Sequence, residues 1–118
     1  MLVKYNEANK QTAMGILSTN LNYSSLSLID MILKKYTKDN HEIYLERKDG
    51  TYIGLVLVIL QDDFIIVDEM YFIPNNETVF NENEIFRSLQ SIFPNRRLIG
   101  ALKMSAKIER FEMGQVNG

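Results

Sequence analysis

Apolar and polar residues alternate from Leu2 to Tyr5, which predicts a short first strand. A polar stretch, Asn6 to Gln11, leads into Ala13–Leu17, read as a short helix ending where Thr19–Asn22 breaks the pattern. Ser24, Ser25 and Ser27 offer caps for a second helix, whose apolar stripe is Leu26, Ile29, Ile32, Leu33 and Tyr36. Lys34, Lys35 and Lys38 suit the negative end of its dipole. From His41 the period becomes two. Ile43 and Leu45 take one face, Glu42, Tyr44 and Glu46 the other, before Lys48-Asp49-Gly50 supplies a positive-φ turn. The return strand, Tyr52–Leu60, is apolar throughout and belongs at the centre of a sheet covered on both faces. Gln61–Asp63 turns the chain into a third strand, Phe64–Ile73, stopped by Pro74, so the three form an antiparallel meander. Asn83 is the predicted cap of a helix with one face of Ile85, Phe86, Leu89, Ile92 and Phe93. Arg97–Lys103 reads as a strand laid parallel to the third by a right-handed crossover. Ser105–Met113 closes as a short helix, with residues 114–118 as a loose tail.

Composition narrows the function classes. A chain of 118 residues, 46% hydrophobic and 24% charged, with two prolines and no repeat, predicts a single domain over residues 1–118. The net charge of -2 gives no basic footprint for nucleic acid or an anionic membrane. The absence of cysteine excludes disulfides, zinc-thiolate sites and cysteine nucleophiles, and one histidine cannot build a multi-histidine metal site. The longest apolar run, nine residues from Tyr52 to Leu60, is far short of the roughly 20 a membrane helix needs. The opening Met1–Asn6 has no export-signal pattern, which places the chain in the cytoplasm.

The predicted order, strand, two helices, meander, helix, strand, helix, resembles the GNAT acetyltransferase superfamily, truncated after the fifth strand. Met1-Leu-Val-Lys-Tyr5 and Ala13–Ser18, with Tyr52-Ile-Gly54, Pro74 and Ile108-Glu-Arg-Phe111, are similar to the RibT family, short acetyltransferase-like proteins of bacterial riboflavin operons. The resemblance implies an α/β (α+β) acyl-CoA N-acyltransferase fold with a mostly antiparallel mixed sheet and helices on both faces. It also implies acetyl-CoA as donor, a small-molecule or peptide amine as acceptor, and a link to riboflavin metabolism.

In that family a loop after the fourth strand, Arg/Gln-x-x-Gly-x-Gly/Ala, holds the coenzyme pyrophosphate at a helix N-terminus. Counted from Pro74, the basic position falls on Glu77 and the glycine positions on Phe80 and Glu82. The resemblance thus assigns coenzyme contacts to Met70, Phe72 and Ile73 of the strand and to Glu77, Thr78, Val79, Phe80, Asn81 and Glu82 after it. Yet Gln61–Glu84 carries seven acidic residues and no basic one, and no glycine lies between Gly54 and Gly100, so the segment opposes a pyrophosphate. Glu69 takes the place of the base that deprotonates the amine, with Tyr71 on the same face. No tyrosine follows Tyr71, so the family's general acid is missing from its usual place.

His41, between Asp39 and Glu42, reads as a strand-edge surface residue, with a base or pH-sensitive contact as the alternative. From residue 85 onward six basic side chains, Arg96, Arg97, Lys103, Lys107 and Arg110 among them, stand against two acidic ones: a phosphate patch or a solvated face. Asn20, Asn22 and Tyr23 fall in the inter-helix loop that lines the acceptor side in this fold. The acidic middle and basic end, with an edge strand at Leu98–Lys103, suit pairing in a homodimer or with another protein. The alternative to an enzyme is therefore a non-catalytic binding or dimeric regulatory module on the same scaffold.

Overall fold

The computed structural model describes residues 1–20 and 25–117. Five strands form one sheet in the order β1-β2-β3-β4-β5: β1 Leu2–Lys4, β2 His41–Lys48, β3 Thr51–Leu60, β4 Phe64–Phe72 and β5 Arg97–Gly100. The first four are antiparallel to their neighbours, and β5 lies parallel to β4 after the crossover through α3, Val79–Ile92. Asp49 and Gly50 both take positive φ in the β2–β3 turn, the geometry a two-residue hairpin loop requires.

Helices α1, Lys10–Asn20, and α2, Leu26–Lys35, cover one face of the sheet. Ile43, Leu45, Leu55 and Leu57 pack there against Ala13, Leu17, Ile29 and Leu33. On the other face Tyr44, Val56, Val58, Ile65 and Val67 meet Phe86 and Leu89 of α3 and Ile108 and Phe111 of α4, Ser105–Asn117. Both faces are covered, which is why β3 carries no polar alternation. No helix among the described residues is long and apolar enough to cross a membrane.

Four boundaries differ from the sequence reading. Helix α1 starts at Lys10, after a 3-10 turn at Glu7–Asn9 capped by Asn6, and runs to Asn20. Helix α3 is capped by Thr78, whose side chain accepts from the Asn81 N–H, so Asn83 lies inside it. Strand β5 stops at Gly100, because the chain turns there into α4. Met104, Ile108 and Phe111 form a buried stripe at helical spacing, and α4 runs on to Asn117. The turn at Gly100 is tight: a Cβ there would sit 2.6 Å from the Met104 carbonyl carbon and the Ser105 nitrogen, backbone atoms that cannot step aside. Gly100→Ala is expected to lower stability by about 1–3 kcal/mol, read as a lower urea midpoint at unchanged slope.

Candidate functional site

The pairing of β4 changes half way along. Its first part, Phe64–Val67, pairs with Arg97–Gly100 of β5, and the last bond on that side is Ala101 N–H to the Val67 carbonyl. A bulge at Asp68 then interrupts the ladder with β3, since Val58 faces Val67 while Leu57 faces Glu69. One extra residue reverses the parity of a strand. Ile65 and Val67 before the bulge, and Met70 and Phe72 after it, therefore all point to the α3–α4 face.

Beyond the bulge the backbone edge is open. The Ile73 N–H binds the Ile53 carbonyl on the β3 side, so by alternation Met70 and Phe72 direct their N–H and C=O groups to the edge that β5 has left. Asn20, at the end of α1, donates to the Phe72 carbonyl from its side-chain nitrogen at 2.7 Å. The acceptor-side candidates Asn22 and Tyr23 lie outside the described residues. Ile73 offers no donor to the open edge.

Glu69 and Tyr71 share the α1–α2 face, with Lys103 donating to the Glu69 carboxylate at 3.1 Å across the gap after β5. Burial first, and then the adjacent Glu69 carboxylate, push the Tyr71 phenol well above its ordinary range. It remains a protonated donor at neutral pH. Asp68 accepts from the hydroxyl of buried Tyr36, the C-cap of α2, tying the bulge to that helix. Asp68 and Tyr36 are residues the sequence reading did not select. The available signal was the parity change, apolar at 65 and 67, then at 70 and 72.

The remaining candidates, Thr78–Glu82, are the cap and first turn of α3 rather than a loop. Thr78 and Asn81 are occupied with capping: the Asn81 side-chain nitrogen donates to the Asn76 carbonyl at 2.8 Å, and its oxygen accepts from Lys48 at 3.1 Å. Phe80 is 63% exposed, its ring 4.9 Å from the Lys48 ammonium, so it does not plug the gap between β4 and β5. Glu82 is buried and accepts from Lys107 of α4, which also reaches Glu77 at 3.7 Å. The segment is acidic in sequence but not in space. Folding brings Lys48 and Lys107 to it from β2 and α4, although Lys107 is already engaged by carboxylates.

The other cations do not converge either. Arg97 lies 3.8 Å from Glu112, and Arg96 stacks on Phe93 at 5.4 Å. His41 stands at the head of β2, its Nδ1 bound to the Asp39 carbonyl at 2.8 Å and its ring edge-on to Tyr36. No group of three or more His, Asp or Glu side chains able to hold a metal ion occurs among the described residues.

A five-stranded, mostly antiparallel sheet with helices on both faces and β4 and β5 parallel and then parting is the fold of the GNAT acetyltransferases. The aminoglycoside acetyltransferase AAC(6')-Iy, in complex with the bisubstrate analog CoA-S-monomethyl-acetylneamine, matches at TM-score 0.70 and 10% identity over 93% of this chain and 86% of its own. The apo 6'-N-acetyltransferase AAC(6')-IG of Acinetobacter haemolyticus matches at TM-score 0.65 and 11% identity, over 100% of this chain and 89% of its own. In sequence, the chain is 26% identical over 117 residues, 96% of each chain, to a Bacillus methanolicus protein described as an uncharacterized N-acetyltransferase in the lysA 3' region. At these identities the structural likenesses show a shared fold. No family model matches the chain.

Proposed function

We propose that this chain is an N-acetyltransferase that uses acetyl-CoA to acetylate an amine. The observation that carries the reading is the open edge of β4 at Met70 and Phe72, next to Glu69, in a fold shared with acetyltransferases. An acyl-CoA presents two recognisable parts, an amide-rich pantetheine arm and a diphosphate. The N–H and C=O of Met70 and the N–H of Phe72 suit the arm, which would add to the sheet as a short strand does, while the Phe72 carbonyl is already taken by Asn20. The first turn of α3 does not suit the diphosphate, since Glu77 and Glu82 already engage Lys107. When bound, the coenzyme supplies an acyl thioester that an amine can attack. Glu69 accepts the proton the amine loses, and Tyr71 and Lys103 orient its carboxylate. Asn20 fixes the end of the strand by holding the Phe72 carbonyl.

The likeness of Met1–Tyr5 and Ala13–Ser18 to the RibT family supports an acceptor amine connected with riboflavin metabolism, and the cytoplasm as the place of action. The outer edge of β5, last in the sheet, supports a homodimer joined there. A non-catalytic module is the second reading, favoured by the buried Glu82–Lys107 pair standing where a diphosphate would need free cations.

Calorimetric titration with acetyl-CoA, CoA and acetyl-pantetheine tests both. An arm-dominated site predicts that acetyl-pantetheine binds within about fivefold of acetyl-CoA, a difference near 1 kcal/mol. A folded sample that binds none of the three at millimolar concentration would refute the enzyme reading and leave the module.

A further inference from the structure

A second cavity lies at the opposite end of the sheet from the open edge of β4. It has a volume of about 430 Å³ and sits between the C-terminal turn of α2, the starts of β2 and β3's last residue, with Tyr5, Tyr36, Asp39, His41 and Leu60 among its walls. The turn that shapes it is fixed by backbone bonds. His41 N–H binds the Lys38 carbonyl at 3.1 Å, Leu60 N–H binds the Asn40 carbonyl at 2.6 Å, and Asn40 takes a positive φ of 63°. A pocket held this way is preformed.

We propose that this cavity is a second small-molecule site, for a compound that joins a protonated amine to an apolar or aromatic body. The polar groups still available there are mainly acceptors. His41 Nδ1 donates to the Asp39 carbonyl at 2.8 Å, which fixes the ring in the cavity wall. The Asp39 carboxylate is exposed and makes no ion pair among the described residues. The negative end of the α2 dipole points the same way. The face of Tyr5 suits a cation, that of Tyr36 already carries the Lys35 ammonium at 5.6 Å, and Ile43 and Leu60 give the apolar body a floor. Of the two lysines on the lining, Lys4 is held by Glu42 at 3.2 Å, while Lys38 is exposed at the rim and free to turn to water.

Tyr36 gives the site a route to the rest of the molecule. Its ring lines the cavity and its hydroxyl donates to Asp68 at the β4 bulge, so an occupant there touches a residue bonded directly to the bulge. Binding itself does not depend on the acetyltransferase reading.

The probes are phenethylammonium and phenylacetate, similar in shape and opposite in charge, titrated into the protein and followed by backbone amide NMR. Phenethylammonium is expected to shift the Thr37–Ile43 and Leu60 amides saturably, phenylacetate not to saturate, and Asp39→Asn, an exposed change, to weaken phenethylammonium about fivefold. Equal binding of phenylacetate, no saturation at these amides, or an unchanged affinity in Asp39→Asn would each overturn the proposal.

Discussion

Replacing Glu69 with Gln should lower kcat/KM for acetyl transfer about 10²- to 10⁴-fold while leaving the affinity for acetyl-CoA within about twofold. The two effects separate because alternation along β4 puts the groups on different sides. Glu69 projects its side chain to the α1–α2 face, whereas Met70 and Phe72 present only backbone to the open edge. Gln keeps the size of the side chain and can still lie beside Tyr71, but it cannot take a proton. Tyr71→Phe should have a smaller effect, about tenfold on kcat, because it removes an orienting hydroxyl and keeps the ring that packs against Leu55 and Leu57 on that face. Initial rates with a panel of amines check both variants. A fully active Glu69→Gln protein would remove Glu69 from the chemistry.

The second large effect is expected at Lys107. Glu82 is 4% exposed, and Lys107 is the cation that accompanies it into the interior. Lys107→Met keeps the aliphatic stem but leaves the carboxylate without its partner, which costs about 2–4 kcal/mol, less than for a fully enclosed pair because Lys107 is itself partly exposed. The double change Glu82→Leu with Lys107→Met should recover most of that loss, since it removes both charges and retains packing. Urea denaturation of the two proteins gives the comparison directly. Glu82→Gln has a functional counterpart. It leaves Lys107 with only the exposed Glu77, 3.7 Å away, and should tighten acetyl-CoA several-fold without changing acetyl-pantetheine, which has no diphosphate to meet the ammonium.

Much of the scaffold was legible from periodicity. The meander followed from alternation at 43–45, the positive-φ turn at Asp49-Gly50 and the apolar run of β3, and Ser25 capped α2 as its neighbours implied. Parallel β5 followed from the helix that precedes it. Helix α3 starts at Val79 and not after Asn83, because the apolar face that marks it in the sequence begins only at Ile85. Thr78 carried the competing signal, a good cap three residues before Asn81, and capping prevailed. The site was only half legible. Glu69 and Tyr71 could be placed on one face by period two, but the bulge at Asp68 belongs to the β3–β4 ladder, and β5 ends where Gly100 admits the backbone of α4. Likewise the charge of residues 61–84 looked uncompensated until Lys48 and Lys107 arrived from distant elements. Contacts between residues 25 or more positions apart leave no local pattern.

The central claim is that the backbone of β4 beyond the bulge receives the pantetheine arm. Titrating acetyl-pantetheine into uniformly 15N-labelled protein tests it most directly, because the Met70 and Phe72 amides are the donors in question. The account predicts saturable downfield shifts and slowed hydrogen exchange at those two amides, with the Ile73 amide, already bonded to Ile53, little changed. Saturable binding that leaves Met70 and Phe72 unmoved would contradict it.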